Sequence, residues 1–155
     1  MIEKLFPQPA DNRYQGHWLA KWLLIFYTVK SFVAGSIRMF AADGGAQRIA
    51  SIPLDQFSQG AADSIVTMFG MWGMEQVVIG FISAVILWRY NSLIPFMALV
   101  YAIEYIGRFA HDLYTPGIMS AHTPPGAVAD YVLVPLTLVM LVLSLWGTKE
   151  KQART

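Results

Sequence analysis

The sequence predicts an all-α, polytopic membrane protein folded as a four-helix transmembrane bundle, and three observations predict it. Hydrophobic residues make up 55% of the 155-residue chain and charged residues only 14%, against about a quarter charged in soluble domains. A chain of this length has too small an interior to hide so much apolar side chain from water. Four stretches are also apolar over the roughly 20 residues that a helix needs to cross the hydrocarbon core.

Those stretches cover residues 16–40, 64–88, 92–114 and 128–146, and no segment outside them has the composition of a soluble domain. The chain 1–155 is therefore read as one transmembrane domain. The first stretch is long, is interrupted by Lys30 and is not followed by an Ala-x-Ala site, so it is expected to be retained rather than cleaved as a signal. Asp63 and Ser64 are candidate caps for the second helix. Asn91 or Ser92 can cap the third, with Pro95 in its first turn, and Pro124-Pro125-Gly126 precedes the fourth.

With four spans, the two tails and the second loop share one side, which carries Lys4, Arg13, Lys21, Arg89, Lys149, Lys151 and Arg154. The other side offers Arg48 alone. The excess of Lys and Arg marks the cytoplasmic side, so both termini are expected there, with segments 41–63 and 115–127 facing outward. Trp18, Trp22, Trp88 and Trp146 then fall at the inner interface. In segment 41–63, Ile49, Ile52, Leu54 and Phe57 alternate with Arg48, Asp55, Gln56 and Gln59. That pattern suits either a lid lying on the membrane or an ordinary loop broken by Pro53.

Charge and cysteine content exclude several classes of function. Eleven Lys and Arg against ten Asp and Glu leave no basic surface for phosphate backbones, so no nucleic-acid partner is expected. With no cysteine there is no disulfide framework, thiolate metal site or thiol redox chemistry.

The informative residues are ionisable groups inside apolar helices, where each costs a few kcal/mol unless it faces protein or water. Lys30 lies about 15 Å below the outer end of the first helix, Glu75 about 16 Å below that of the second, and Glu104 about 12 Å below that of the third. Arg108 stands one turn above Glu104, and Arg38, His111 and Asp112 lie nearer the outer ends. Met97, Tyr101, Glu104, Arg108 and His111 share one stripe of the third helix. The fourth helix offers chiefly Thr137 and Pro135, whose missing N–H leaves the Tyr131 carbonyl without its helical donor. Gly73, Val77, Gly80 and Ala84 form a stripe of small residues on the second helix, suited to close contact either inside the bundle or with a second copy.

This pattern is expected to be a charged network of Lys30, Glu75, Glu104 and Arg108 around a pocket in the outer half of the bilayer. The pocket would take a small lipophilic molecule, of quinone, isoprenoid or sterol type, by its polar end. Lys30, Arg108, Arg38, His111 and Asp112 would orient the head, and Tyr27, Tyr101, Tyr105 and Trp72 would supply aromatic walls. If the site is catalytic, Glu75 and Glu104 are the acid and base for proton-transfer or isomerase chemistry. Two alternatives stand beside this reading: an accessory subunit of a larger membrane complex, and an ion-pair network that only fixes helix register. His111, Met119 and His122 are too few soft ligands to assign a metal, and no cofactor is assigned.

The run Met68-Phe-Gly-Met-Trp-Gly-Met-Glu-Gln, the helix ending Trp88-Arg89, and Tyr105-Ile-Gly-Arg-Phe followed by Asp112 and Pro116-Gly117 resemble the four-helix bacterial membrane proteins related to DoxX. The resemblance covers about residues 64–117 and implies a bacterial inner-membrane protein, multi-pass with four helices; membrane lipid is the expected surrounding, and the small-residue stripe or Glu75 could meet a second copy, as a homo-oligomer, or a larger membrane complex. Some of those proteins are similar to subunits of oxidoreductases that deliver electrons to quinone. Of the site residues, Arg108 and Asp112 fall on the family-like motif and Lys30 and Glu104 do not; no catalytic role transfers.

Overall fold

A computed structural model describes residues 2–115 and 124–146. The helices are α1 (Ile2–Leu5), α2 (Trp18–Phe40), α3 (Gln59–Arg89), α4 (Ile94–Tyr114) and α5 (Pro125–Leu145), with 3-10 turns at Leu54–Gln56 and Asn91–Leu93 and no strand among the described residues. Helices α2, α3, α4 (with its preceding turn) and α5 are long and apolar enough to cross a membrane. The all-α four-helix membrane bundle is the architecture observed.

Two helices start earlier than hydropathy indicates. At 31 residues, α3 is about 46 Å long, well beyond the ~30 Å hydrocarbon core. Hydropathy marks only the part matched to lipid, whereas the helix begins at Gln59 and runs through Gly60, Ala61, Ala62 and Asp63 before it. Asp63 and Ser64 are accordingly interior residues, not caps. Ser64 Oγ donates to the Gly60 carbonyl at 2.7 Å and Thr67 Oγ1 to that of Asp63 at 2.8 Å, while Ser58 stands at the cap position. Similarly, Pro125 is already the first residue of α5, a position where a missing N–H costs nothing.

The α3–α4 turn uses its polar residues for a different purpose than capping. Ser92 Oγ donates to the Asp11 carbonyl at 2.8 Å and accepts the Asp11 N–H at 2.9 Å, and the Asn91 amide bonds to Asn12 Oδ1. Residues 2–17 thus fold back over this end of the bundle. His17 caps α2 by accepting the Leu19 N–H on Nδ1 at 3.2 Å, and Lys4 Nζ donates to the Leu145 carbonyl at the end of α5, 2.9 Å away, where a cation complements the helix dipole. The Asp11 carboxylate is held below its ordinary range by the Arg13 backbone N–H and guanidinium.

Helix α2 runs beside α3 and α5, and α4 beside α5, while α3 and α4 meet sparingly. The α2–α3 contact depends on glycine: a Cβ at Gly73 would lie 2.7 Å from the Gly35 carbonyl oxygen and 2.7 Å from Arg38 Cβ. The stripe with buried Gly73 and Gly80 therefore packs inward, against α2. At mid-bundle, Tyr27, Tyr101 and Tyr105 are buried and in mutual ring contact, with centroids 5.2 Å apart for Tyr27–Tyr101 and Tyr27–Tyr105. The Tyr101 hydroxyl sits between Ser31 Oγ of α2 (3.1 Å) and Ser83 Oγ of α3 (3.2 Å), and Tyr27 donates to the Leu133 carbonyl of α5 at 2.7 Å. These bonds tie four helices together through otherwise costly buried hydroxyls. Leu133, not Tyr131, is the α5 carbonyl that joins this cluster.

Outside, Phe26, Val33, Met71, Phe81, Val132 and Val142 are exposed, as are Trp18, Trp22, Trp88 and Trp146 towards the end that holds the N-terminal segment. An apolar exterior of this kind is untenable in water and suits lipid.

Candidate functional site

Two large cavities occur. One, of about 870 Å³, lies under the N-terminal segment, between residues such as Phe6, Tyr14 and Pro95. The other, of about 750 Å³, lies at the opposite end and is lined by Lys30, Arg38, Glu75, Glu104, Arg108, His111, Asp112 and Asp130, with Ala34, Ile37, Phe69, Trp72, Ile103 and Leu133 among its apolar walls. The intramembrane charges expected from the sequence all reach this second cavity, which makes it the candidate site. It sits where α3 and α4, joined by a short turn at the far end, have diverged.

The strongest contact is one the sequence reading missed. Arg108 of α4 makes a two-point bond to Asp130 of α5, Nη2 to Oδ1 at 2.6 Å and Nε to Oδ2 at 2.9 Å. Asp130 is buried, at 3% exposure. The pair matches in depth: Arg108 is six residues before the end of α4 and Asp130 five after the start of α5, about 9 Å and 8 Å along the two axes. Glu104 adds a longer contact to Arg108 Nη1 at 3.2 Å. Hydropathy starts the fourth helix at residue 128, which leaves Asp130 in its first turn. Its signal was a lone carboxylate in an otherwise apolar run.

The expected four-member network is therefore corrected. Glu104 and Arg108 are paired, but Glu75 is exposed at the cavity wall and makes no ion pair among the described residues. Its inward neighbour Gln76 is buried and accepts Arg38 Nη1 at 2.8 Å. The inward glycine stripe turns Glu75 away from α2. Lys30 bonds the Tyr105 hydroxyl at 2.5 Å rather than a carboxylate.

Two aromatic rings organise the cations. Trp72 carries the Arg38 guanidinium 3.9 Å from its ring centre and that of Arg108 at 5.7 Å. Tyr105 carries Arg108 at 4.4 Å and the Lys30 ammonium at 5.0 Å. Trp72 is a wall residue as expected. Tyr27, Tyr101 and Tyr105 do not line the cavity: Tyr27 and Tyr101 serve the packed hydroxyl cluster, and Tyr105 reaches the site only through its contacts with Lys30 and Arg108. His111 is exposed and Asp112 half-buried on the cavity's lining. Met119 and His122 lie outside the described residues, and among those described no three His, Asp or Glu side chains group to hold a metal.

Segment 41–52 closes the end of the cavity with Gly44, Gly45, Ile49 and Ala50. It is a run of turns pinned by Asp43, whose carboxylate accepts the Gly45 N–H at 3.1 Å and the Arg48 N–H at 2.8 Å. Partial burial presses the Asp43 carboxyl upward, but these N–H donors and the Arg48 charge outweigh it and leave its pKa below the ordinary 3.8. Gly44 at φ +58° faces Phe69, and Ala46 and Ile52 are buried. The segment is thus anchored on the bundle, with Ile49 at the cavity.

The arrangement can hold an apolar body against Ile37, Phe69, Trp72, Ile103 and Leu133 and present hydrogen-bonding charges to one polar end. Comparison with family models, curated proteins and solved structures finds no match for this chain.

Proposed function

We propose that this protein binds a small lipophilic molecule, of quinone, isoprenoid or sterol type, in the cavity between α3 and α4. The observation that carries the reading is the cavity of about 750 Å³ whose walls combine apolar side chains with Lys30, Arg38, Glu104, Arg108 and Asp130. Its size falls in the range of small-molecule sites, and a few convergent polar groups in an apolar wall are the usual means of orienting such ligands. The distribution of Lys and Arg supports cytoplasmic termini, and the resemblance to DoxX-related proteins supports a bacterial inner-membrane setting. The cavity then opens in the outer half of the bilayer, within reach of molecules dissolved in lipid.

Glu104 is the carboxylate best placed to exchange a proton with such a ligand, since Asp130 is committed to Arg108 through both oxygens and Glu75 is exposed. Native mass spectrometry of the protein released from its own membranes tests the reading. A stoichiometric lipophilic adduct supports it, and an adduct-free protein with an empty organic extract refutes it.

A second reading rests on Glu75. An exposed carboxylate midway along a membrane helix, flanked by exposed Met71 and Met74, suits contact with another protein, as in an accessory subunit of a membrane oxidoreductase or a homo-oligomer. A stoichiometric protein partner after gentle extraction favours it; a stable monomer excludes it.

A further inference from the structure

The cations around the cavity are not equally satisfied. Arg108 has two carboxylates, Glu104 and Asp130. Lys30 and Arg38 have none among the described residues: the hydrogen-bond partner of Lys30 is the neutral Tyr105 hydroxyl, and that of Arg38 is the neutral Gln76 amide oxygen. Arg38 Nε is buried without an acceptor among the described residues. Residues 116–123, outside the described residues, contain no Asp or Glu. Of the remaining lining acids, Glu75 is exposed and Asp112 half-buried, and neither forms an ion pair with Lys30 or Arg38.

An ammonium carries three N–H donors and a guanidinium five, with no acceptor on either. Most of these donors are unused here, in a wall of the bundle where water is scarce and an uncompensated cation is costly. Tyr105 holds Lys30 and Arg108 against one ring, and Trp72 holds Arg38 and Arg108 against the other. The two unneutralised cations thus flank the neutralised one and share a single cavity with it.

We propose that the ligand's polar end is an anion, a carboxylate or phosphate on an apolar chain, received by Lys30 and Arg38. The proposal rests on the lipophile-binding reading above and adds the chemistry of the head. An anionic head supplies acceptor oxygens for the idle donors and places a counter-charge beside Lys30 and Arg38, which no carboxylate of the described residues pairs. A neutral alcohol supplies one oxygen and no charge, and an amine adds a further cation.

The test is competition binding to the full chain in a neutral detergent, read by native mass spectrometry, among hexadecanoate, hexadecyl phosphate, hexadecanol and hexadecylamine at equal concentration. The anions should be retained at least tenfold over the alcohol and the amine. Lys30→Met and Arg38→Met should each reduce that preference at least fivefold, and Lys30→Arg should keep it. Equal retention of alcohol and anions, or preference for the amine, overturns the anionic head while leaving the lipophile reading standing. Failure of every probe to bind overturns both. Inorganic phosphate displacing hexadecyl phosphate at equal concentration would show a site for the free ion, which overturns the requirement for an apolar chain.

Discussion

Removing the Asp130 carboxylate should be the most damaging small change at the cavity. Asp130→Ala leaves Arg108, whose side chain is 19% exposed, without the two bonds of 2.6 and 2.9 Å that it makes now. Deleting one partner of a buried ion pair costs about 3–5 kcal/mol, because the other charge is stranded. Two contacts soften the loss: Glu104 remains on Nη1 at 3.2 Å and the Tyr105 ring lies 4.4 Å from the guanidinium. Polar partners are also found by the unfolded chain within a micelle or bilayer. The net destabilisation should therefore be about 2–3 kcal/mol, with Asp130→Asn near half of it because one oxygen acceptor survives. The assay is reversible unfolding in mixed micelles by added dodecyl sulfate, followed by circular dichroism, for Asp130→Ala, Arg108→Met and the double variant. The double variant should be more stable than the sum of the single losses predicts, by at least ~1 kcal/mol. An Asp130→Ala protein within ~0.5 kcal/mol of the parent, or strict additivity, would refute the pair as a structural element.

Glu104→Gln should cost less, about 0.5–1 kcal/mol, since Arg108 keeps both bonds to Asp130; a loss equal to that of Asp130→Ala would reverse the order of contacts argued above. Gly73→Val should destabilise by about 1–3 kcal/mol, because its Cβ meets the Gly35 carbonyl and Arg38 at 2.7 Å. Gly107→Ala, whose Cβ meets nothing within 4 Å, should be neutral or stabilising by up to about 1 kcal/mol; unfolding midpoints in the opposite order would reject the α2–α3 contact. The segment closing the cavity should respond to acid through Asp43. Its pKa is lower folded than unfolded, so its contribution is complete above the ordinary 3.8 and is lost as pH falls through the depressed folded value. Amide shifts of Gly45 and Arg48 should move in that window and stay still in Asp43→Asn; shifts moving only near neutrality would contradict the turn.

The architecture was legible because lipid imposes it. Four apolar stretches of sufficient length have one economical solution, and the structure supplies four long helices. Boundaries were less legible, since hydropathy reports where lipid touches a helix and not where its hydrogen bonding stops, as residues 59–63 of α3 show. Depth counting brought Lys30, Glu104 and Arg108 to one cavity correctly. It brings Glu75 to the same cavity but does not say whether Glu75 pairs there, because depth does not determine azimuth, and the glycine stripe that decides azimuth fits an inward or an outward face equally well until Gly35 is seen opposite. Asp130 is the lone carboxylate of the fourth apolar stretch, and its partner across the bundle is visible only once α4 and α5 are placed side by side. Tyr27 and Tyr101 share helix faces with cavity residues, but buried hydroxyls find partners first, here the Leu133 carbonyl, Ser31 and Ser83.

The most direct test of the binding site is to fill it without disturbing its walls. Gly107 lines the cavity and has open space where its side chain would be, so Gly107→Trp should occupy the volume while leaving the ion pairs in place. Parent and variant, released from the same native membranes and compared by native mass spectrometry, should differ in one respect. The parent carries a lipophilic adduct, and the variant, folded as judged by its helical circular dichroism and unfolding midpoint, does not. An adduct retained equally by a folded Gly107→Trp protein would place the ligand elsewhere and contradict the account.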